Sequence, residues 1–545
     1  MNRYVKIAAT GLVAGALFVG AAWAGVSLIP VDLSGSTQTQ TTGALEQRLA
    51  EAARSVPAQA PDEGGATFQP GAGQVLAGAA KVSMEPRPEA YGGVWEKEGC
   101  ETMGDDAGPE TATHVADYRV RWPEKPGCIY MGGYGIGPMN AITKWTDPYG
   151  LWVRSVAIGD GTDTIVLTIV DGVYYFGEYV DMCDDCGFFD LAQELGGELQ
   201  IDPDGFLFAS THSHTSPDFI GGWGGVPDWY MEQITDTIKQ SVTEAVQDMR
   251  PGVIEAGEVL ARNFNGERRD FYRSAEDNAL SWFRIIDANT PNPQAPRAIA
   301  TVGGYSAHPV TADEGPGVAD GDFPGVFNTK MEERFGGIGL FFQAGFGNVS
   351  PRGNKVEMGE GLASLVPNAG EGDLITNPDV RSAQMFWDQP VTNSGLTALG
   401  VPGFFDRPFA QAPSQVAAGK NASRPCRSAS GVTVNTAVSA ARIGSLLITG
   451  APGEIFSNYS NTVEEKNQGG VTFALSLVND GLGYIMQSFE TDHVGRQAVG
   501  FVGSAEVEQA GINQGLAEYE DAYSIDACFG DAALENTLAL MGQLG

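Results

Sequence analysis

The chain has 545 residues, 42% of them hydrophobic and 18% charged, which is material for one large globular body with additions. Acids outnumber bases 68 to 32, and the resulting net charge of −36 repels nucleic acid and anionic membrane, which excludes DNA or RNA binding. The 73 glycines and 30 prolines point to many turns and long loops rather than a helical bundle.

The chain opens with a targeting pattern. Arg3 and Lys6 are basic, Ile7 to Val19 is apolar, and Ala22-Trp-Ala24 offers a small-x-small cleavage site before Gly25. Residues 1–24 are therefore expected to be a signal peptide, and the protein to be exported, secreted or periplasmic. The uncharged stretch runs on to Pro30, so residues 7–30 could also serve as an uncleaved anchor. Residues 25–73 read as a low-complexity linker in which only Ala44 to Ser55 carries a helical pattern. The folded body is expected over 74–545.

Six cysteines, an even number, suit disulfides in an exported protein. Cys183-Asp-Asp-Cys186 has redox or metal CxxC spacing, but acids lie between the thiols and no second CxxC exists, so a local disulfide is expected. Cys100 with Cys128 is expected to staple a polar insertion, and Cys426 with Cys528 to tie down the C-terminal region. Spacing alone leaves the pairing open.

Apolar β-type runs recur at Val75–Met84, Trp152–Ile158, Thr164–Val170, Phe206–Ala209, Ala298–Tyr305, Gly337–Ala344, Ala441–Thr449 and Thr472–Val478. Helical patterns lie at Trp229–Met249, Val326–Phe335 and Ile455–Gln468. Such alternation predicts an α/β fold: a large mixed-sheet domain with helices packed on the sheet and long loops. No internal repeat is visible.

Two of only five histidines stand one residue apart, His212 and His214, just after the run Phe206–Ala209. Strand residues two apart face the same side, so both rings are expected in one pocket, one to bind a metal and one to move protons. The plain alternative is two surface histidines in a polar loop. Other polar segments also follow apolar runs: His308-Pro309, Gly347-Asn-Val-Ser350, Pro452-Gly453-Glu454 and Asn479-Asp-Gly-Leu-Gly-Tyr484. Ligand sites in open α/β sheets lie beyond the carboxyl ends of strands, so the five segments can converge on one cleft.

In this order the segments resemble the neutral/alkaline ceramidase family of exported zinc-dependent amidases. The family's Thr-His-Thr-His-Ser-Gly-Pro is similar to Thr211–Pro217, its second histidine motif to Ala307–Thr311, and its Gly-Asp-Val-Ser-Pro-Asn to Gly347–Arg352. Pro-Gly-Glu stands intact at Pro452–Glu454, as does Asn-Asp-x-x-Gly-Tyr at Asn479–Tyr484; Ala77–Val82 and Asp322–Gly325 fit as well. The resemblance spans about Ala77 to Tyr484. It implies His212, His308, Glu454 and Tyr484 as Zn2+ ligands, which agrees with zinc's taste for imidazole nitrogen and carboxylate oxygen. It further implies His214 as proton handler or oxyanion partner, Ser350 as a holder of water or oxyanion, and an arginine at the site.

Three departures limit what carries over. Only 61 residues follow Tyr484, too few for the C-terminal immunoglobulin-like domain of those ceramidases. The family's Asn-x-Asn-Arg-Ser is replaced by Asn263-Phe-Asn-Gly-Glu-Arg268-Arg269, which leaves Arg268 and Arg269 both open. Gln487–His493 lacks the family's tyrosine-containing sequence. Metal chemistry therefore transfers further than ceramide specificity. The expected function is zinc-dependent, ceramidase-like hydrolysis of an N-acyl amide, ceramide or another lipid-like amide, with membrane-surface contact for substrate and no protein partner. The alternatives are a zinc esterase or amidase with a non-sphingolipid substrate, or a non-catalytic surface protein with a structural metal. Calcium at Asp313, Asp320 and Asp322 lacks the spacing of a calcium loop, so a solvated turn is expected there. His114 and His493 match no motif and are expected at the surface.

Overall fold

The computed structural model describes residues 71, 73–98, 100, 127–133, 140–146, 149–269, 275–290, 296–401, 405–417, 426–467, 469–491 and 519–545. The targeting segment, nearly all of the linker, His114 and His493 lie outside the described residues. In chain order the first half contributes β1 (Val75–Ser83), β2 (Trp152–Gly159), β3 (Thr164–Val170), α1 (Phe188–Leu199), β4 (Phe206–Ser210), α2 (Asp228–Gln247), β5 (Arg250–Leu260) and β6 (Ala279–Asp287). Next come β7 (Ala298–Tyr305), α3 (Asp322–Phe335), β8 (Ile338–Gln343), α4 (Lys355–Leu365), β9 (Val380–Pro390), β10 (Thr433–Ile443) and β11 (Leu446–Gly450). The rest is β12 (Glu454–Ile455), α5 (Ser457–Lys466), β13 (Thr472–Leu475), β14 (Tyr484–Ile485) and α6 (Phe529–Leu544).

The large mixed sheet has the order β8-β7-β6-β5-β1-β2-β3-β4, with the short strand Asp373–Leu374 added to β5. Only β3/β4 and β7/β8 are parallel in it. Each of these pairs is joined through a helix, α1 or α3, as parallel neighbours require. A second sheet has the order β9-β10-β11-β13. Period-2 alternation assigns the faces. In β3, Ile165, Leu167 and Ile169 join Phe283, Val302 and Phe342 in a core shared with Ile443, Ile448 and Phe473 of the second sheet. Val166 and Val170 point the other way, into a core with Leu191 of α1 and Ile234, Ile238 and Val242 of α2. Beyond the second sheet, Val434 and Leu447 pack on Phe529, Leu540 and Met541 of α6. The architecture is therefore two facing sheets, covered by helices on both outer sides.

The segment Ser476–Asn479 closes the seam between the edge strands β8 and β4. Ser476 N donates to Gln343 O at 2.9 Å, Asn479 N donates to Phe208 O at 2.7 Å, and Asn479 Oδ1 accepts from Phe208 N at 2.8 Å. Gln343 Nε2 donates to Thr211 O at 3.1 Å. Two exposed edges are thereby removed, and the carboxyl ends of β4 and β8 are brought side by side.

Two expectations need correction. Ala441–Thr449 is not one strand: the chain reverses at Gly444, φ +57°, and the run divides into the antiparallel pair β10 and β11. The solvated turn expected at Asp313, Asp320 and Asp322 holds for Asp313, which is exposed, but not for Asp320 and Asp322. Asp320 accepts from Lys355 Nζ at 2.7 Å, and Asp322 accepts from the backbone N–H groups of Thr311 and Ala312 at 2.7 and 2.8 Å. Both carboxylates are buried and engaged by internal donors.

Disulfides join Cys100 to Cys128, Cys183 to Cys186 and Cys426 to Cys528, cross-links that an oxidising compartment permits. Among the described residues no helix is long and apolar enough to cross a membrane.

Candidate metal centre

The histidine pair meets through a turn, not through strand alternation. β4 ends at Ser210, and His212 adopts φ +64° while its N–H donates to Gly172 O at 2.8 Å. The chain folds back there, and His214 Nε2 comes to 3.3 Å from His212 Nε2. His308 follows β7, and its loop is tied to the other by His214 N–H donating to Pro309 O at 3.2 Å. Glu454 and Tyr484 are direct partners in the two-residue parallel ladder of β12 and β14.

Backbone carbonyls choose the tautomers of the two candidate ligand histidines. His212 Nδ1 lies 2.9 Å from Val173 O, and His308 Nδ1 lies 3.0 Å from Val349 O. A carbonyl only accepts, so Nδ1 carries the proton and each Nε2 presents a lone pair. Both lone pairs converge on Glu454 Oε2, at 3.1 Å from His308 and 3.7 Å from His212. Tyr484 Oη stands 3.5 Å from His308 Nε2. Tetrahedral zinc with bonds near 2.0–2.1 Å separates its donors by about 3.3 Å, close to these spacings. His212, His308 and Glu454 are 2%, 3% and 1% exposed. Three electron-rich atoms packed together out of water are chemically suited to a cation between them.

Electrostatics keep the imidazoles neutral. Burial pushes His212 down to about 4, outweighing the pull of the Glu454 carboxylate. Burial, with Arg268 nearby, holds His308 well below the usual imidazole range. His214 is also held well below it, by burial first and then by His212, His308 and Arg268. Neutral imidazole is the form that binds a metal or accepts a proton.

The two arginines diverge. Arg268 donates to Tyr484 Oη at 3.0 Å and to Gly347 O at 2.8 Å, while its Nη1 is 3.5 Å from His308 Nε2. Glu520 anchors it at 2.8 Å. Arg269 turns away to Glu490 O and Asp521, at 3.2 and 3.3 Å. Arg268 therefore faces the centre and Arg269 braces the C-terminal segment. Ser350 sits opposite Gly266 in the short ribbon Asn265–Glu267/Val349–Pro351, next to the residue whose carbonyl holds His308. Its hydroxyl makes no hydrogen bond among the described residues.

Tyr174 is the site residue that the sequence reading missed; its hydroxyl donates to Glu454 Oε1. It belongs to Asp171-Gly-Val-Tyr174, which follows β3. The strand-end reasoning that singled out five other segments would have found it, had it been applied to Thr164–Val170.

Gly133, φ +98°, lies against His214: a Cβ there would stand 2.4 Å from His214 Cγ. Gly133→Ala is expected to push the His214 ring aside and cut turnover about 10²-fold with metal content unchanged. Kinetics beside elemental analysis check this, and undiminished turnover would remove His214 from the mechanism.

No family model matches the sequence, and no curated protein matches it. Solved structures do match. A ceramidase complexed with C2 superposes with a TM-score of 0.54 at 14% identity, over 86% of this chain and 75% of that one. The neutral ceramidase from Pseudomonas aeruginosa superposes with a TM-score of 0.51 at 14% identity, over 83% of this chain and 76% of that one. At this identity the likeness carries the architecture: the chain has the fold seen in these ceramidases.

Proposed function

We propose that the protein is an exported zinc-dependent hydrolase of N-acyl amides, acting as a ceramidase does to release a sphingoid base and a fatty acid from ceramide. One observation carries the reading. Two imidazole lone pairs and a carboxylate oxygen converge in a buried set, with a further neutral imidazole 3.3 Å from one of them.

When bound by His212, His308, Glu454 and Tyr484, zinc supplies Lewis acidity and a water pKa lowered to about 7. The protein's own groups do the rest. His214 is neutral at neutral pH, so it can take a proton from the attacking water and return it to the departing amine nitrogen. Arg268 sets a positive charge beside Tyr484 Oη, which would favour negative charge gathering on the carbonyl oxygen of a substrate held at the centre. Ser350, by its hydroxyl or the N–H groups of its turn, would hold the water or that oxyanion. The ligand shell excludes solvent, which strengthens each of these interactions.

Metal analysis of the purified full chain tests the reading, followed by turnover of a short-chain N-acylsphingosine, a matched fatty amide and a matched ester, with and without chelator. One zinc per chain and chelator-sensitive cleavage of the N-acylsphingosine are expected. Tightly held zinc without turnover of any of the three would point to a structural metal and sink the enzymatic reading. Cleavage of the ester alone would limit the activity to esters.

A further inference from the structure

Glu454 uses its two carboxylate oxygens differently. Oε2 faces His308 and His212, while Oε1 accepts the hydroxyl proton of Tyr174. We propose that Tyr174 is a positioning residue that holds Glu454 as a one-oxygen ligand and sets how tightly the centre keeps its metal; the inference rests on the zinc reading above. A carboxylate beside a small cation can offer one oxygen or both. A phenol hydrogen-bonded to Oε1 draws charge from that oxygen, and turning Oε1 inward would break the bond. The coordination number then stays low, and a position remains for water or substrate.

The phenol is itself held from several sides. Its ring meets His212 edge-on, with centroids 5.0 Å apart at 71°, and stacks on Trp223 at 6.3 Å and 10°. Trp223 is fixed by its own backbone, because the buried Asp218 carboxylate accepts N–H groups from Ile220, Gly221, Trp223 and Gly225 at 2.6 to 3.1 Å. Gly481 also leaves no slack: a Cβ there would lie 2.8 Å from the Tyr174 ring. The preceding residue, Val173, supplies the carbonyl that orients His212. Two consecutive residues after β3 thus orient two different ligands, one through a backbone carbonyl and the other through a side-chain hydroxyl.

Tyr174→Phe removes the hydroxyl and keeps the ring. The full chain, stripped of metal, is titrated with zinc against a competing chelator, and separately loaded with cobalt(II) for its visible spectrum. The variant is expected to bind zinc about 10- to 100-fold more weakly and to show an altered cobalt band, while the metal-free protein melts as wild type does. Gly481→Ala, which displaces the same ring with its hydroxyl present, should shift affinity in the same direction. A Tyr174→Phe protein with wild-type zinc affinity and wild-type cobalt spectrum overturns the inference alone. Wild-type protein that takes up neither metal overturns the zinc reading, and the inference with it.

Discussion

On the proposed zinc-hydrolase reading, His308→Ala is expected to lose zinc and turnover together, whereas His214→Ala keeps zinc and loses turnover by about 10²- to 10⁴-fold. The difference follows from where the two rings stand. His308 Nε2 lies within the converging set, 3.1 Å from Glu454 Oε2, and its Nδ1 is committed to Val349 O. Deleting it would leave one imidazole, the carboxylate and the tyrosine oxygen, a set with a single nitrogen donor and a gap at its middle that holds the ion poorly against water. His214 reaches only the flank of the set, through His212. Its removal would spare the proposed ligands and take away the proposed proton carrier. Elemental analysis and steady-state kinetics on the same preparations decide the matter. Equal zinc loss in the two variants would refute this division of labour.

Glu255→Ala is expected to destabilise the fold by about 3–5 kcal/mol, although Glu255 lies outside the centre. It stands directly opposite Arg284 in the β5/β6 ladder, with Arg284 Nη1 donating to its Oε1 at 2.6 Å. Both side chains are essentially without solvent contact. Burial raises the Glu255 carboxyl above its usual range and brings Arg284 down to about 10, so desolvation offsets much of the mutual attraction. Losing one partner leaves a buried guanidinium with Pro367 O at 2.8 Å, the Phe335 and Trp282 rings, and the charge of Glu371 in place of a paired carboxylate. The double variant Glu255→Leu/Arg284→Met removes both charges and should recover most of the loss. Urea denaturation measures each step. A single variant costing less than about 1 kcal/mol would mean that Arg284 finds another counter-charge or water.

The same pair explains why part of the fold was illegible in the sequence. β5 carries Pro251, Gly252, Glu255, Gly257 and Glu258, and β6 carries Arg284, so neither shows an apolar run of the kind that marked β3 or β7. Their polar residues are satisfied by partners that exist only after the strands pair. The runs that were legible are those buried on both faces, where nearly every residue is apolar. Between β10 and β11 the apolar run continues through a reversal that one residue, Gly444, makes possible. Tyr174 was missed for a related reason. An aromatic residue amid aromatic neighbours reads as core; its place after a strand marks it as a candidate, but the partner of its hydroxyl is a carboxylate 280 residues away.

The sequence by itself determined the α/β class, the order of the polar segments at strand ends, and the residue types available there: imidazoles, one glutamate, a tyrosine and two arginines. Those follow from side-chain chemistry and local periodicity, which act over a few residues. Tertiary structure decided that the strands split between two facing sheets, that Arg268 rather than Arg269 faces the centre, and that His212 and His214 meet across a turn. It also decided which nitrogen of His212 and of His308 points inward, through carbonyls at Val173 and Val349. Most of those outcomes depend on contacts between segments well separated in the chain, 39 residues for His212 with Val173 and 41 for His308 with Val349, and no local pattern encodes such a contact.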